Sequence, residues 1–391
     1  MQYDIIPNLI VKITVVNDLI LRMKQKLEER IKNKNIRTLK VDLPLIDFIS
    51  NDYLGLARSK ELKKSIEDTF SEFENGKNGA TGSRLLSGNS TYAMELEAKL
   101  SSIFQAEKFL LFNSGYNANI SILSAVPQRG DTIILDELIH TSLKDGARLS
   151  MANHFSFRHN DLADLEKKIL RAKGKVFVVA ESIYSMDGDI CPLPQIIDLC
   201  KQNKAELILD EAHATGVQGE NGNGLACELN LHQEIFARIY TFGKAMGVHG
   251  AGIAGSSTLI NYLINFARPF IYTTALPLHA LISIQCAFDH LQKNPHLQQN
   301  LANKISFFRN EAEAKLNTNS MIKESSTAIQ AIIVPGNENV INKAEKIRHK
   351  GFDVRPILSP TVKLGQERLR ICLHVHNSEE EIKSLVEVLK S

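Results

Sequence analysis

Short apolar runs alternate with amphipathic stretches along most of this chain. Leu19, Met23, Leu27 and Ile31 recur four apart, which predicts a helix over residues 18–34 with Lys24, Lys26, Glu28 and Arg30 on its solvated face. Asp42–Ser50 is apolar and β-like, and Leu62, Ile66, Phe70 and Phe73 mark a second helix. From residue 80 the rhythm is regular. A helix carrying Tyr92, Leu96, Leu100 and Ile103 precedes the apolar run Phe109–Phe112. Further runs follow at Thr132–Leu135, Val176–Ala180, Leu207–Leu209 and Ile235–Phe242, with helical patterns such as Leu162, Leu165 and Ile169 between them. Strands this short and apolar, separated by helices, predict an α/β fold whose mostly parallel sheet is covered on both faces. A site in such a sheet belongs at the carboxyl ends of the strands.

Beyond about residue 285 the pattern changes. Leu297, Leu301, Ile305 and Phe308 mark a long helix; strands at Ala328–Val334 and Leu369–His374 flank a helix at Glu338–Lys350. Ser378 and Glu381 predict a capping box that opens the last helix. The expected organisation is an N-terminal helical arm and strand over 1–50, a large α/β domain over 51–284 and a smaller α+β domain over 285–391.

Composition narrows the classes. The 391 residues carry a net charge of +2 and are 43% hydrophobic, an ordinary globular balance that gives no reason to expect nucleic acid or an anionic membrane as partner. Cys191, Cys200, Cys227, Cys286 and Cys372 show no C-x-x-C spacing, which argues against a disulfide framework or zinc site. The N-terminus lacks a basic n-region, and Lys12, Asn17 and Asp18 interrupt its apolar run, so neither a signal peptide nor a membrane span is expected. The expected location is the cytoplasm.

Residues with chemical potential fall just after the apolar runs. Lys244 follows Ile235–Phe242 among small and apolar neighbours; burial there would favour the neutral amine that forms a Schiff base with a carbonyl. Alone, it reads more simply as a strand-end Lys reaching water. Asp210 closes Leu207–Leu209, with His213 three residues on; a carboxylate at the end of a buried strand needs a partner. Metal ligation lacks an evident third ligand there, so no metal is expected. The DEAH string of helicases would need a P-loop, and no G-x-x-x-x-G-K-[ST] occurs. After Phe109–Phe112 comes Asn113–Asn117, a Gly turn opening a helix, where free N–H groups make a phosphate site or simply a capped turn. His140 follows Thr132–Leu135, and the polar stretch 181–189 follows Val176–Ala180. Gly250, Gly252 and Gly255 spell G-x-G-x-x-G, but no Asp or Glu occurs between Gly255 and Asp289 to hold a ribose. Those glycines are expected to give tight turns and close packing beside Lys244.

One cofactor uses these parts together. Pyridoxal phosphate needs a Lys for its aldehyde, a carboxylate for its pyridine nitrogen and N–H groups for its phosphate. Lys244, Asp210 and the helix start at Gly115 would supply them from successive strand ends, with His140 over the ring and His213 beside its oxygen.

At this point the chain resembles a known family, the α-oxoamine synthases, pyridoxal-phosphate enzymes of the fold type I aminotransferase superfamily. The resemblance runs from about Arg37 to the last helix, on NDYLGLA (51–57), GATGSRLLSGN (79–89), SGYNAN (114–119), DELIHTSL (136–143), ESIYSMDGD (181–189), DEAHATGVQG (210–219), TFGKAMGVHGAG (241–252), FARPFIYTTALP (266–277) and GQERLR (365–370). It implies a fold type I large domain with a mostly parallel seven-stranded sheet covered by helices, and a smaller α+β C-terminal domain. It implies that Lys244 carries pyridoxal 5′-phosphate and acts as general base, that Asp210 pairs with the ring nitrogen, and that His213 and Ser185 lie by the ring oxygen. His140 would stack on the ring and meet the incoming carbonyl, while Gly115, Tyr116 and Thr241 would serve the phosphate side. Thr274 would reach the phosphate of a neighbouring subunit, making a homodimer with shared active sites. Asn51 and Arg370 would receive the amino-acid carboxylate, with Arg37 and Thr361 as further substrate contacts.

The implied reaction is a decarboxylative condensation of an amino acid with an acyl thioester of coenzyme A or an acyl carrier protein. Within the family, the SRLLSGN segment and the TFGKAMGV and FARPFIY pair look most like members that use L-alanine and a pimeloyl thioester. Members making 5-aminolevulinate usually carry Thr where Ser83 stands; glycine acetyltransferases are a further alternative. Two positions depart from the pattern: many relatives have His in place of Ala93 and Arg in place of Leu358, with Arg355 three residues before the latter. Both bear on the acyl substrate. An aminotransferase of the same superfamily and a non-catalytic subunit are the rivals; the presence of Lys244 speaks against the latter.

Overall fold

The computed structural model describes residues 6–39, 44–73, 76–316 and 322–390, with 6–17 as backbone only. In chain order its strands are β1 (Ile46–Asp47), β2 (Lys108–Phe112), β3 (Thr132–Asp136), β4 (Asn153–Phe157), β5 (Val176–Glu181), β6 (Glu206–Asp210), β7 (Ala237–Thr241), β8 (Ala251–Gly255), β9 (Ile329–Ile333), β10 (Phe352–Asp353), β11 (Arg355–Ile357) and β12 (Arg368–Cys372). Seven of them form one sheet in the order β2-β8-β7-β6-β5-β3-β4. Every pairing between β7 and β4 is parallel, and β8 runs antiparallel to both of its neighbours.

The apolar runs became strands because both sheet faces are covered. β3 and β5 are buried at every residue, so no polar alternation interrupts them. Helices Gly115–Ala125, Thr141–Leu149, Leu162–Arg171 and Leu193–Gln202 follow successive strands. A three-stranded sheet, β11-β12-β9, and helices His296–Lys315, Asn337–His349 and Glu379–Lys390 make up the C-terminal part. Ser378 N–H donates to Glu381 Oε2 at 2.8 Å and Glu381 N–H to Ser378 Oγ at 3.1 Å, the reciprocal capping box expected there. β1 pairs in parallel with β10, which ties the segment before residue 51 to the C-terminal part.

Three expectations are corrected. The helix expected over 18–34 runs from Ile6 to Lys32, and its apolar stripe of Leu19, Met23, Leu27 and Ile31 is exposed in the single chain. Of the β-like stretch Asp42–Ser50, residues 42–43 lie outside the described residues and only Ile46–Asp47 is strand. The stretch holding Gly252 and Gly255 is a strand, not a run of turns. A Cβ at Gly252 would meet the Phe109 ring at 2.0 Å, so β8 is glycine-rich because the adjacent strand's aromatic ring occupies the space. Only Gly250, at φ 136°, takes the turn conformation.

Candidate active site

The carboxyl ends of β3, β5, β6 and β7 converge on one cluster. Asp210 is the last residue of β6 and Glu181 the last of β5, and the two are register partners. Asp210 Oδ1 accepts from Ala212 N–H at 2.9 Å and Oδ2 from Asn119 Nδ2 at 2.8 Å. Asn119, in the helix that opens at Gly115, also donates to Ser142 Oγ at 2.9 Å. Ser142 Oγ lies 2.7 Å from His140 Nδ1. His140 caps helix Thr141–Leu149 and is exposed as a residue, and its backbone N–H donates to buried Glu181 Oε1.

Lys244 lies three residues past β7, with Nζ 2.9 Å from His213 Nε2. Burial is the main cause that holds its ammonium below the ordinary Lys range; Arg370 adds to this, while Asp210 and Glu181 oppose it. His213 is held well below the usual imidazole range by burial first, then by the Lys244 and Arg370 charges. Burial, reinforced by the neighbouring Asp210 charge, pushes Glu181 up to about 8.

Arg370 enters from β12. Its Nε donates to Ser185 O at 2.6 Å, Nη1 contacts Cys372 Sγ at 3.0 Å and Nη2 donates to Asn51 Oδ1 at 2.9 Å. Tyr53 Oη donates to the same Asn51 oxygen at 3.1 Å and lies 2.8 Å from His213 Nδ1. The 181–189 loop, which holds Ser185, is fixed further by the buried Arg368–Asp187 ion pair. On its other side His159 bridges Asp136 at 3.0 Å and Asp189 at 2.6 Å.

Gly115 begins helix Gly115–Ala125, and a Cβ there would meet Thr241 Oγ1 at 2.3 Å. Ser114 Oγ takes the Asn117 N–H at 3.3 Å, leaving the N–H groups of Gly115 and Tyr116 at the helix start. The Tyr116 hydroxyl donates to Asp145 at 2.9 Å. Thr274 is exposed, with its carbonyl accepting from Asn113 Nδ2 at 2.7 Å.

Two chains of contacts therefore bring the predicted residues together: Lys244 reaches Arg370 through His213, Tyr53 and Asn51, with Ser185 held on Arg370 by its carbonyl, and Asp210 reaches His140 through Asn119 and Ser142, while Gly115 faces Thr241. Arg37 and Thr361 are both exposed, and no hydrogen bond among the described residues joins their side chains to the cluster. Asn119, Tyr53 and Glu181 were missed by sequence reasoning. For Glu181 the signal was available: it closes an apolar strand with a carboxylate, as Asp210 does.

The description "Aminotransferase class I and II" belongs to the family model that matches residues 44–389. The chain belongs to this family. Among its curated relatives, 8-amino-7-oxononanoate synthase of Emericella nidulans is 37% identical over 378 residues, covering 88% of each chain. The solved 8-amino-7-oxononanoate synthase of Francisella tularensis superposes with a TM-score of 0.76 at 28% identity, over 89% of this chain and 98% of that one. A variant of serine palmitoyltransferase from S. paucimobilis, solved with a bound PLP–myriocin aldimine, superposes at a TM-score of 0.83 over 95% and 96%; at 24% identity it speaks for the fold. Within the aminotransferase family the chain is an α-oxoamine synthase, as the ordered motifs implied.

Proposed function

We propose that this chain makes 8-amino-7-oxononanoate by decarboxylative condensation of L-alanine with a pimeloyl thioester, releasing carbon dioxide and the free thiol. The observation that carries the reading is the buried Lys244 amine, its ammonium disfavoured by burial, 2.9 Å from His213 Nε2 and within electrostatic reach of both Asp210 and Arg370. Curated relatives of that name over 88% of the chain support the substrates.

The residues present fit pyridoxal 5′-phosphate. Asp210, backed by Asn119 and the Ala212 N–H, is a buried anion suited to a pyridinium proton. The helix start at Gly115, where the missing Cβ lets the Thr241 hydroxyl pack beside the free N–H groups, gathers donors suited to a phosphate. When bound, the cofactor supplies an electron sink for negative charge at the amino acid's α-carbon. Lys244 supplies the amine that carries it and, once free and neutral, the base that takes the α-proton at Nζ. Arg370 and Asn51 grip the substrate carboxylate; a planar guanidinium does so with two parallel donors. His140 covers the site from the end of β3 and meets the incoming acyl carbonyl.

A homodimer with shared sites, Thr274 reaching the partner's phosphate, is part of this reading. The 82–88 segment runs against Ala275, whose N–H donates to Gly82 O at 3.0 Å, and beside it Leu86 and Tyr272 are 84% and 73% exposed. Apolar side chains uncovered to that extent next to Thr274 suit a subunit contact. The reading also includes a large domain over 51–284, a small one over 285–391, and a cytoplasmic location in keeping with five buried free thiols. No helix among the described residues is long and apolar enough to cross a membrane.

Two experiments test it. Purified protein with pyridoxal 5′-phosphate shows a visible absorption band that Lys244→Ala lacks; a Lys244→Ala chain keeping the band overturns the site. A thiol-release assay crosses L-alanine, glycine and L-serine with pimeloyl, succinyl, acetyl and palmitoyl thioesters of coenzyme A and carrier protein. L-alanine with pimeloyl is fastest; fastest turnover with glycine and a short acyl group overturns the substrate assignment.

A further inference from the structure

Two arginines stand opposite each other on adjacent strands of the small sheet, and no anion holds either of them. β11 and β12 are antiparallel, and Arg355 and Arg370 are register partners. Residues directly opposite in a sheet leave it on the same face, with Cβ atoms about 5 Å apart. That face of β12 looks at the 181–189 loop, where Arg368 pairs with Asp187 and Arg370 Nε donates to Ser185 O. The other Arg370 partners are the Asn51 amide oxygen and the Cys372 thiol, which burial keeps protonated, so all of them are uncharged. Arg355 is exposed on the edge strand and has neither hydrogen bond nor ion pair among the described residues. Asp353, two residues before it, is taken by Arg348 at 2.9 Å. Like charges directly opposite one another destabilise a sheet, so this pair lacks a structural reason. A carboxylate arriving at Arg355 would supply one.

We propose that Arg355 binds the far carboxylate of the acyl substrate and so selects the monothioester of a dicarboxylic acid. The inference deepens the reading of the substrates as L-alanine and a pimeloyl thioester, and rests on it. In that reading Arg370 holds the amino acid by its carboxylate. The acyl carbonyl must meet the adjoining α-carbon, so the acyl chain starts close to Arg370. A long Arg stem on the next strand, leaving from the same face, is placed to meet the other end of that chain. Its guanidinium offers two parallel donors to a carboxylate and nothing comparable to a methyl group. Acetyl and palmitoyl chains would leave Arg355 without an anion, and a succinyl chain carries its carboxylate much nearer the thioester.

The test compares two coenzyme A thioesters in the holoenzyme, pimeloyl and its ω-methyl ester, which keeps the chain and removes the charge. Wild type favours pimeloyl about tenfold in kcat/KM, the lower end for a hydrogen bond to a charged group, because water competes at an exposed site. Arg355→Gln brings that ratio close to one, and Arg355→Lys keeps part of it. KM for L-alanine stays within about twofold in both variants, since Arg370 is untouched. The cofactor-free variants melt no lower than wild type; for Arg355→Gln a repulsion has been removed. A ratio unchanged in Arg355→Gln, or a wild type that turns over both thioesters equally well, overturns the inference and leaves the underlying reading standing. So does a KM for L-alanine that rises as the ratio falls, which would put Arg355 in the amino-acid grip. A variant that melts lower and loses both thioesters in equal measure overturns it too, because that is the signature of a structural role. Fastest wild-type turnover with glycine and a short acyl group instead strikes the underlying reading, and this inference with it.

Discussion

Glu181 and Asp210 end adjacent parallel strands as register partners, which puts two carboxyl groups side by side in the buried floor of the site. Only one of them can be charged at little cost, and Glu181 is the one pushed up, to about 8. Unfolded, Glu181 loses its proton near 4.5; folded, it keeps it to about 8. The unfolded state therefore binds fewer protons in that interval, and stability falls as pH rises through it. Glu181→Gln keeps an acceptor for the His140 N–H without the titration. Denaturant midpoints of the cofactor-free variant should decline less steeply than wild type between pH 5 and 8, by up to about 1.4 kcal/mol per pH unit. Parallel pH curves would refute this.

His159 titrates with the same overall sign for a different reason. Although burial alone would lower it, Asp136 and Asp189 hold it up at about 9 against an ordinary 6.5. The stability it contributes is fully present below 6.5 and is lost as pH rises through about 9. His159→Gln should cost about 3 kcal/mol at pH 6, on the scale of hydrogen bonds to charged groups, and much less at pH 10. A pH-independent loss in chemical denaturation would refute the charged bridge.

Gly115 is constrained by Thr241 rather than by its own backbone. Alanine at the first residue of a helix favours the helix. The clash with Thr241 opposes that gain, so Gly115→Ala should lower the melting temperature of the cofactor-free chain slightly, by the cost of turning the Thr241 hydroxyl aside. Because its Cβ would fall 2.3 Å from Thr241 Oγ1, the dissociation constant for pyridoxal 5′-phosphate should rise on the order of tenfold, read by titrating the visible band. Unaltered affinity would remove the phosphate from this corner.

The Arg368–Asp187 pair is almost wholly buried, at 5% and 9% exposure. Removing one partner leaves an uncompensated charge, so Arg368→Met should cost about 3–5 kcal/mol in denaturant unfolding. Arg368→Met with Asp187→Leu should recover most of that loss, since a buried pair gains little over apolar packing. A double variant as unstable as the single one would show that the pair is needed for the 181–189 loop itself.

The fold was legible where burial is symmetric. β3 and β5 are covered on both faces, so their residues form unbroken apolar runs. β4 was not, because Asn153 to Ser156 are exposed at the sheet edge and need no apolar pattern. β8 was not, because AGIAG is shaped by the Phe109 ring of a strand more than a hundred residues earlier. The same holds in the site. Lys244, Asp210, His140 and His213 are polar groups where apolar runs end, which a linear reading can find. Asn119 sits within a helix otherwise rich in buried residues, and Tyr53 meets His213 across 160 positions. No local period encodes such a partner.

β7 and β8 have a further consequence for Lys244. The nine residues between them are stitched across, with Phe242 N–H on Gly250 O at 2.9 Å and Val248 N–H on Phe242 O at 3.1 Å. Gly247, at φ 66°, presses so closely that a Cβ would fall 2.3 Å from Ala57 N, in the segment that carries Asn51 and Tyr53. The Lys244 backbone is thus a fixed axle, gripped by two central strands. Its side chain is the crank arm: the amine changes partners by swinging four methylenes about a stationary Cα, and the frame need not open for it to turn.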